Sequence, residues 1–371
     1  MKPVVFILTL LMTQQSFSQT YYLIAGTYTK PKKSEGIYTY VFDSKSGDAR
    51  FVSSIYTENP SYLALNKERT HIYAVNENGN DKGAASSFSF NASNGSLQSL
   101  GTTRLSHGDD PCYAGLDATG KWVAVANYTG GSLAIFPVQA DGSLGEAAQV
   151  IAHSGTGPDK ERQEKAHVHS TVFTPDNKYL AVADLGIDKL MLYPFDATSS
   201  KPLDEKAVEI STPPASGPRH LVFHPTKPYA YLVCELSGTV IAYHYQNGKL
   251  TELQQLSSHP ADFKGDIGSA AIHFSPDGRF LYASNRGVCN NIAIYSVDNS
   301  GKLNLLGYQP TGGDHPRDFT IDPSGNFLLA GNMISGNIAV FKRDKTTGLL
   351  TDTGKRITIP QPTVLLFTQI K

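Results

Sequence analysis

Apolar and polar positions along this 371-residue chain follow a repeat that returns about every 50 residues. Each copy closes a short apolar run on a small or polar residue: Leu-Ile-Ala-Gly-Thr27, Tyr-Ala-Val-Asn76, Val-Ala-Val-Ala-Asn127, Leu-Ala-Val-Ala-Asp184, Tyr-Leu-Val-Cys-Glu235, Leu-Tyr-Ala-Ser-Asn285 and Leu-Leu-Ala-Gly-Asn332. The end points lie 49, 51, 57, 51, 50 and 47 residues apart. One copy reads as four strands. Arg219 to Phe223 is the first, and His224-Pro-Thr-Lys227 turns on the fixed φ of proline. Tyr229 to Cys234 is the second, Thr239 to Tyr245 the third and Leu250 to Leu256 the fourth. Strand-length apolar runs with turn residues every 8–12 positions, and no sustained helical period, predict an all-β chain. Seven copies predict a seven-bladed β-propeller with four strands per blade.

The two ends are incomplete. Residues 21–57 lack a first strand, and residues 361–368 read as a lone one. The C-terminal strand is therefore expected to complete the N-terminal blade and close the ring, leaving no free sheet edge. Residues 19–371 then form a single domain.

This register gathers distant residues. First strands line the axial channel, and second strands run antiparallel beside them. The start of one and the end of the other share a face. Ser61, Cys112, His169, Arg219, Ala270, Arg317 and Thr363 make one ring; the seven run-ending residues above make the other. One mouth is thus expected to combine Arg219, Arg317 and Arg286 with His169, Asp184 and Glu235. The arginines read either as an anion site or as an ion-pair network with Asp184, Glu235 and Asp318. Glu235 sits among apolar neighbours, which marks it for function. Asn76, Asn127 and Asn332 read equally as turn residues or as functional groups, and Asp184 equally as a loop cap. Alternation along a strand would turn His167 and His169 to one face. A general base or hydrogen-bond donor suits them better than a metal, because no third ligand has a fixed spacing. His220 and His273 fall on in-strand positions and are expected in the core or between blades. The long loop 151–166 accounts for the interval of 57 and reads as a cover or as ornament.

Charge and composition narrow the function. Formal net charge is −1 with no basic run, which argues against a nucleic-acid partner. Lys2, the apolar run from Val4 to Met12, and Ser16-Phe17-Ser18 have the form of an export signal, so residues 1–18 are expected to be removed. The mature form would be periplasmic or secreted, with cytoplasmic residence the alternative, and would have no membrane segment. Cys112, Cys234 and Cys289 have no framework spacing, and the first two sit inside strands. No metal motif, nucleophile elbow or phosphate loop occurs. No cofactor is expected, and chemistry would use water with His and carboxylate as proton carriers.

Several phrases in fixed order carry a resemblance: Pro111-Cys-Tyr-Ala-Gly-Leu116 with Ala126-Asn-Tyr-Thr-Gly-Gly131, Glu161-Arg-Gln163 leading to His167-Val-His-Ser170, Ala183-Asp-Leu-Gly186, Gly217-Pro-Arg-His220, Ser284-Asn-Arg286 and Pro316-Arg-Asp-Phe319. Over residues 21–371 the chain resembles the seven-bladed propeller lactonases of the 6-phosphogluconolactonase type, which include carboxymuconate-lactonising enzymes. The resemblance implies hydrolysis of a sugar δ-lactone, typically 6-phosphogluconolactone. It implies His169, Arg219, Glu235 and Arg286 as catalytic residues. Arg317, His167, Asp184, Asn127, Asn285 and Asn332 are candidate substrate contacts. Two alternatives stand beside it: a lactonising or isomerising enzyme for an unsaturated dicarboxylate, and a non-catalytic propeller binding a ligand through Tyr62, Tyr113 and Tyr128.

Overall fold

The computed structural model describes residues 20–370 except 32 and 102. The export signal expected over residues 1–18 lies outside the described residues. Seven antiparallel sheets form the ring, and no helix occurs among the described residues. The blade read strand by strand above comprises Pro218–Phe223, Tyr229–Cys234, Thr239–Gln246 and Lys249–Ser257. Pro362–Gln369 pairs antiparallel with Thr20–Thr27, from Tyr21 opposite Gln369 to Thr27 opposite Pro362. The ring is closed as the pattern requires. The blade whose second strand is His71–Asn76 departs slightly: its outer edge is split into Leu97–Ser99 and Arg104–Leu105, both paired with Ala84–Phe90.

Second strands are buried on both faces, which is why they read as continuous apolar runs rather than alternating ones. In Trp122–Asn127, Val123 and Val125 pack toward the preceding blade with Tyr73 and Val75. Trp122, Ala124 and Ala126 pack toward the following one with Val168, Leu180 and Val182. Such a cluster fills each of the seven gaps between blades. A buried Val or Leu contributes about 1.5–3 kcal/mol, so the ring is held mainly by these dry seams.

The same residue recurs as a fastener at the second-strand ends. Asn76 Nδ2 donates to Glu58 O at 2.7 Å, Asn127 to Ser106 O at 3.1 Å, Asn285 to Ser258 O at 2.6 Å and Asn332 to Thr311 O at 3.1 Å. Each acceptor lies in the loop that returns from the preceding blade. Each loop is thereby pinned to the blade it enters.

Candidate active site

Side chains reach the channel because the first strands are bulged. Where Pro218–Phe223 pairs with its neighbour, Pro218 faces Cys234 and His220 faces Val233, leaving Arg219 unpaired. His169 is skipped in the same way between Val168 and Ser170, and Arg317 between Pro316 and Asp318. Cys112 and Thr363 are skipped in their blades. A bulge re-aims the extra residue out of the ladder. Ala270 falls in the register shift between Ser269 and Ile272, so six of the seven residues expected to ring the axis lie at such bulges.

Glu235 is the hub of the mouth. Its Oε2 accepts from Arg219 Nε at 2.9 Å and pairs with Arg286 Nη2 at 2.8 Å. Its Oε1 accepts from Arg162 Nη2 at 2.7 Å. Arg219 Nη1 donates to Ala270 O at 2.6 Å and to His220 Nε2 at 3.2 Å. Arg286 Nε donates to Gly268 O at 3.0 Å. Among the described residues, Arg219 Nη2 and Arg286 Nη1 have no hydrogen-bond partner. These are free donors in a site that already holds three guanidiniums against one carboxylate. Arg317 is better neutralised. It pairs with Glu77 Oε2 at 3.4 Å and lies over the Tyr28 ring, whose hydroxyl donates to Glu77 Oε1 at 2.7 Å.

Burial would raise the Glu235 carboxyl, but Arg286 and Arg219 outweigh it and hold the group well below its usual 4.5. Burial and the neighbouring Arg286 lower Arg219 to about 10, which still leaves it charged at neutral pH. His169 is buried against the edge of Tyr128, with Nδ1 3.7 Å from Cys112 Sγ. Burial and Arg219 push its imidazole well below the usual 6.5, so it stands neutral at pH 7. A neutral imidazole beside unpaired guanidinium donors can take a proton from water while a carbonyl oxygen is held.

The register of the second ring needs one correction. Pro218 faces Cys234, as Pro111 faces Asn127 and Ser269 faces Asn285. Cys234, not Glu235, is therefore the counterpart of the asparagines. Glu235 is equivalent to Tyr28, Glu77, Tyr128 and Arg286, one step beyond the strand end. Alternation explains the division: the strand-end residue points at the returning loop, and the next points at the axis.

The remaining candidates divide along the same line. Asn127, Asn285 and Asn332 are completely buried and hold loops, so the turn-residue reading describes their contacts. Asp184 accepts from His167 N at 2.8 Å and Gly186 N at 3.0 Å, and pairs with His153 Nδ1 at 2.7 Å. It fastens its loop as the asparagines do, with the polarity reversed. His167 precedes the strand, which begins at Val168. Its ring stacks on Tyr128, with Nδ1 3.1 Å from Tyr128 O and Nε2 3.1 Å from the Glu164 carboxylate. The expected ion-pair network reduces to Glu235, because Asp318 pairs with His273 at 2.8 Å and accepts from Leu365 N.

His220 differs from expectation. The bulge at Arg219 shifts the parity of the strand and carries its ring against His169, Tyr62 and Tyr113 in the channel. Loop 151–166 is not a loose cover. Gln163 is fully buried and donates to Leu185 O and Asp188 Oδ1, both at 2.8 Å. The three cysteines are free. No group of three or more metal-ligating side chains occurs among the described residues.

Comparison with known proteins places this geometry. The seven-bladed β-propeller lactonase model matches residues 22–367. The chain belongs to this family. It is 39% identical to a 6-phosphogluconolactonase of Bacillus subtilis, over 92% of this chain and 97% of that one. It is 38% identical to a 6-phosphogluconolactonase of Formosa agariphila, over 88% and 94%. The structure of the periplasmic gluconolactonase PpgL of Pseudomonas aeruginosa superposes with a TM-score of 0.90 at 38% identity, covering 95% of this chain and all of that one.

Sequence reasoning missed Arg162, Glu77 and Tyr28. Glu77 and Tyr28 were within reach, since they follow Asn76 and Thr27 as Arg286 follows Asn285. Arg162 left no trace in the register, and only its place in the phrase Glu161-Arg-Gln163 marked it. It comes from a loop whose path the repeat does not specify.

Proposed function

We propose that the protein hydrolyses a sugar δ-lactone, with 6-phospho-D-glucono-1,5-lactone opened to 6-phosphogluconate as the favoured substrate. The observation that carries this reading is the Glu235-centred arginine cluster with unpaired donors, at a mouth that also holds the buried His169. Water attacks the lactone carbonyl carbon, and His169 accepts its proton. The carbonyl oxygen, now bearing negative charge, is held by Arg219 Nη2 and Arg286 Nη1. The carbonyl carbon–ring oxygen bond then breaks, and His169 returns the proton to the departing ring oxygen. The open acid is the product. Glu235 is a poor base here, because both oxygens are engaged and its carboxyl is held well below 4.5. It positions the arginines.

Similarity to named 6-phosphogluconolactonases supports the reaction, and similarity to a periplasmic gluconolactonase is consistent with work outside the cytoplasm. The excess of guanidinium over carboxylate also suits two carboxylates, which favours lactonisation of an unsaturated dicarboxylate as the second reading. Purified residues 19–371 should be offered 6-phosphogluconolactone, gluconolactone and a carboxymuconate, with spontaneous opening subtracted. Turnover of a sugar lactone supports the first reading. Turnover of the muconate alone replaces it with the second.

A further inference from the structure

The four arginines of the mouth differ in how much of each is reachable. Side-chain exposure is 2% for Arg219, 10% for Arg286 and 14% for Arg317, against 43% for Arg162. Arg162 is also held at one nitrogen. Nη2 donates to both Glu235 Oε1 at 2.7 Å and Tyr128 Oη at 3.1 Å. Nε and Nη1 have no hydrogen-bond partner among the described residues. A guanidinium offers five donors in a rigid plane, so this arrangement fixes the group through both Nη2 hydrogens and leaves Nη1 and Nε as separate single donors on opposite sides of it.

The support beneath it is rigid. Asp159 O accepts from Gln163 N at 2.8 Å, and Asp159 Oδ1 accepts from the amides of Glu161 and Arg162 at 3.0 and 3.1 Å. The buried Gln163 amide locks the strap to the next blade. Two other cations of this region are engaged: Lys165 donates to Thr129 O, and Arg317 faces Glu77. Glu235 itself separates the groups. Arg219 and Arg286 hold one carboxylate oxygen from within, and Arg162 holds the other from the solvent side.

We propose that Arg162 is a specificity-determining residue that selects lactones carrying a phosphate ester away from the ring carbonyl. The proposal rests on the lactonase reading above and adds to it the residue that distinguishes phosphorylated from unphosphorylated lactones. The inner arginines receive the carbonyl oxygen. The free Nη1 of Arg162 receives one phosphate oxygen in a charge-assisted hydrogen bond, and its fixed positive charge favours the dianion over a neutral hydroxyl. Its placement on a strap, outside the repeat, lets phosphate selection vary without disturbing the channel.

The test is calorimetric binding of the two products, 6-phosphogluconate and gluconate, to the wild type, Arg162→Gln and Arg162→Lys. Arg162 is half-exposed, so both variants should melt within a few degrees of the wild type. Arg162→Gln is expected to weaken 6-phosphogluconate about tenfold or more, equivalent to about 1.4 kcal/mol. Gluconate affinity should change less than about twofold by the same conversion. Arg162→Lys should recover part of the loss, since it restores the charge without the rigid plane that Glu235 and Tyr128 hold in place. Equal weakening of both ligands, no weakening of either, or a wild type that does not prefer the phosphorylated product overturns the assignment. The lactonase reading is judged separately by turnover. Arg162-dependent phosphate preference without lactone opening would leave the anion site standing and remove the reaction.

Discussion

Replacing Glu235 by Gln should destabilise the fold in a pH-dependent way. The side chain is 5% exposed and lies against Arg219 and Arg286, which are 2% and 10% exposed. Loss of its charge leaves two buried guanidiniums with hydrogen bonds but no counter-charge. Breaking a buried pair costs about 3–5 kcal/mol when one partner is removed. Gln keeps one acceptor, so the lower end applies, about 3 kcal/mol. The contact with Arg162 adds little, because that side is 43% exposed and screened. Unfolding entropy of about 2.1 cal/mol/K per residue gives about 0.7 kcal/mol/K for this chain, so Tm should fall by about 4 °C. The sign with pH follows from the depressed carboxyl. The unfolded chain takes up a proton as pH falls through about 4.5, while the folded one resists until well below that value. The Glu235 contribution is therefore complete above pH 4.5 and is lost as pH falls further. Thermal melts of wild type and variant should differ most near neutral pH and converge in acid. A gap that is absent at pH 7, or that widens in acid, refutes this reasoning.

Other outcomes follow from the same contacts. His169→Ala should lower kcat/KM by about 10²–10⁴ with little change in Tm. Because burial and Arg219 keep His169 deprotonated well below pH 6.5, the wild-type rate should stay level from pH 8 to 6.5 and fall only in more acidic buffer. An inflection near pH 6.5 would argue against His169 as the base. Arg286→Lys should cost about 10²–10³ in kcat, since it removes Nη1 from the carbonyl site, and much less in Tm. Equal losses in rate and stability would make Arg286 structural. Asn285→Ala should do the reverse. It removes bonds to Ser258 O and Asn291 and the Oδ1 acceptor that Ser258 and Ser269 share, costing about 1–3 kcal/mol of stability while kcat is kept.

Much of this architecture is legible in the chain because a propeller repeats its physics. Strands buried on both faces must be apolar throughout, so Val-Ala-Val-Ala-Asn127 and its counterparts announce themselves, and a fixed period places their ends. Arg219, His169 and Arg317 followed from that register. Glu235 was found one position out of phase, because Cys234 takes the place of the asparagine and a glutamate next to it looks like the same polar ending. His220 was misplaced for another reason. The bulge at Arg219 changes strand parity, and alternation read from sequence assumes an unbroken ladder. Asp184 could not be separated from a catalytic carboxylate by residue type, since what distinguishes it is a partner, His153, from the loop of another blade. Arg162 was hidden because loop geometry depends on contacts such as those of Gln163 rather than on period.

The account stands or falls on the pairing of His169 with the arginine cluster. The initial rate of 6-phosphogluconolactone opening at pH 7, above the spontaneous rate, should be measured for residues 19–371 beside His169→Ala and Arg219→Lys. Rapid opening by the wild type, with both variants near background and still folded, is the predicted result. Unimpaired opening by folded His169→Ala would contradict the central claim and move the proton transfer elsewhere in the channel.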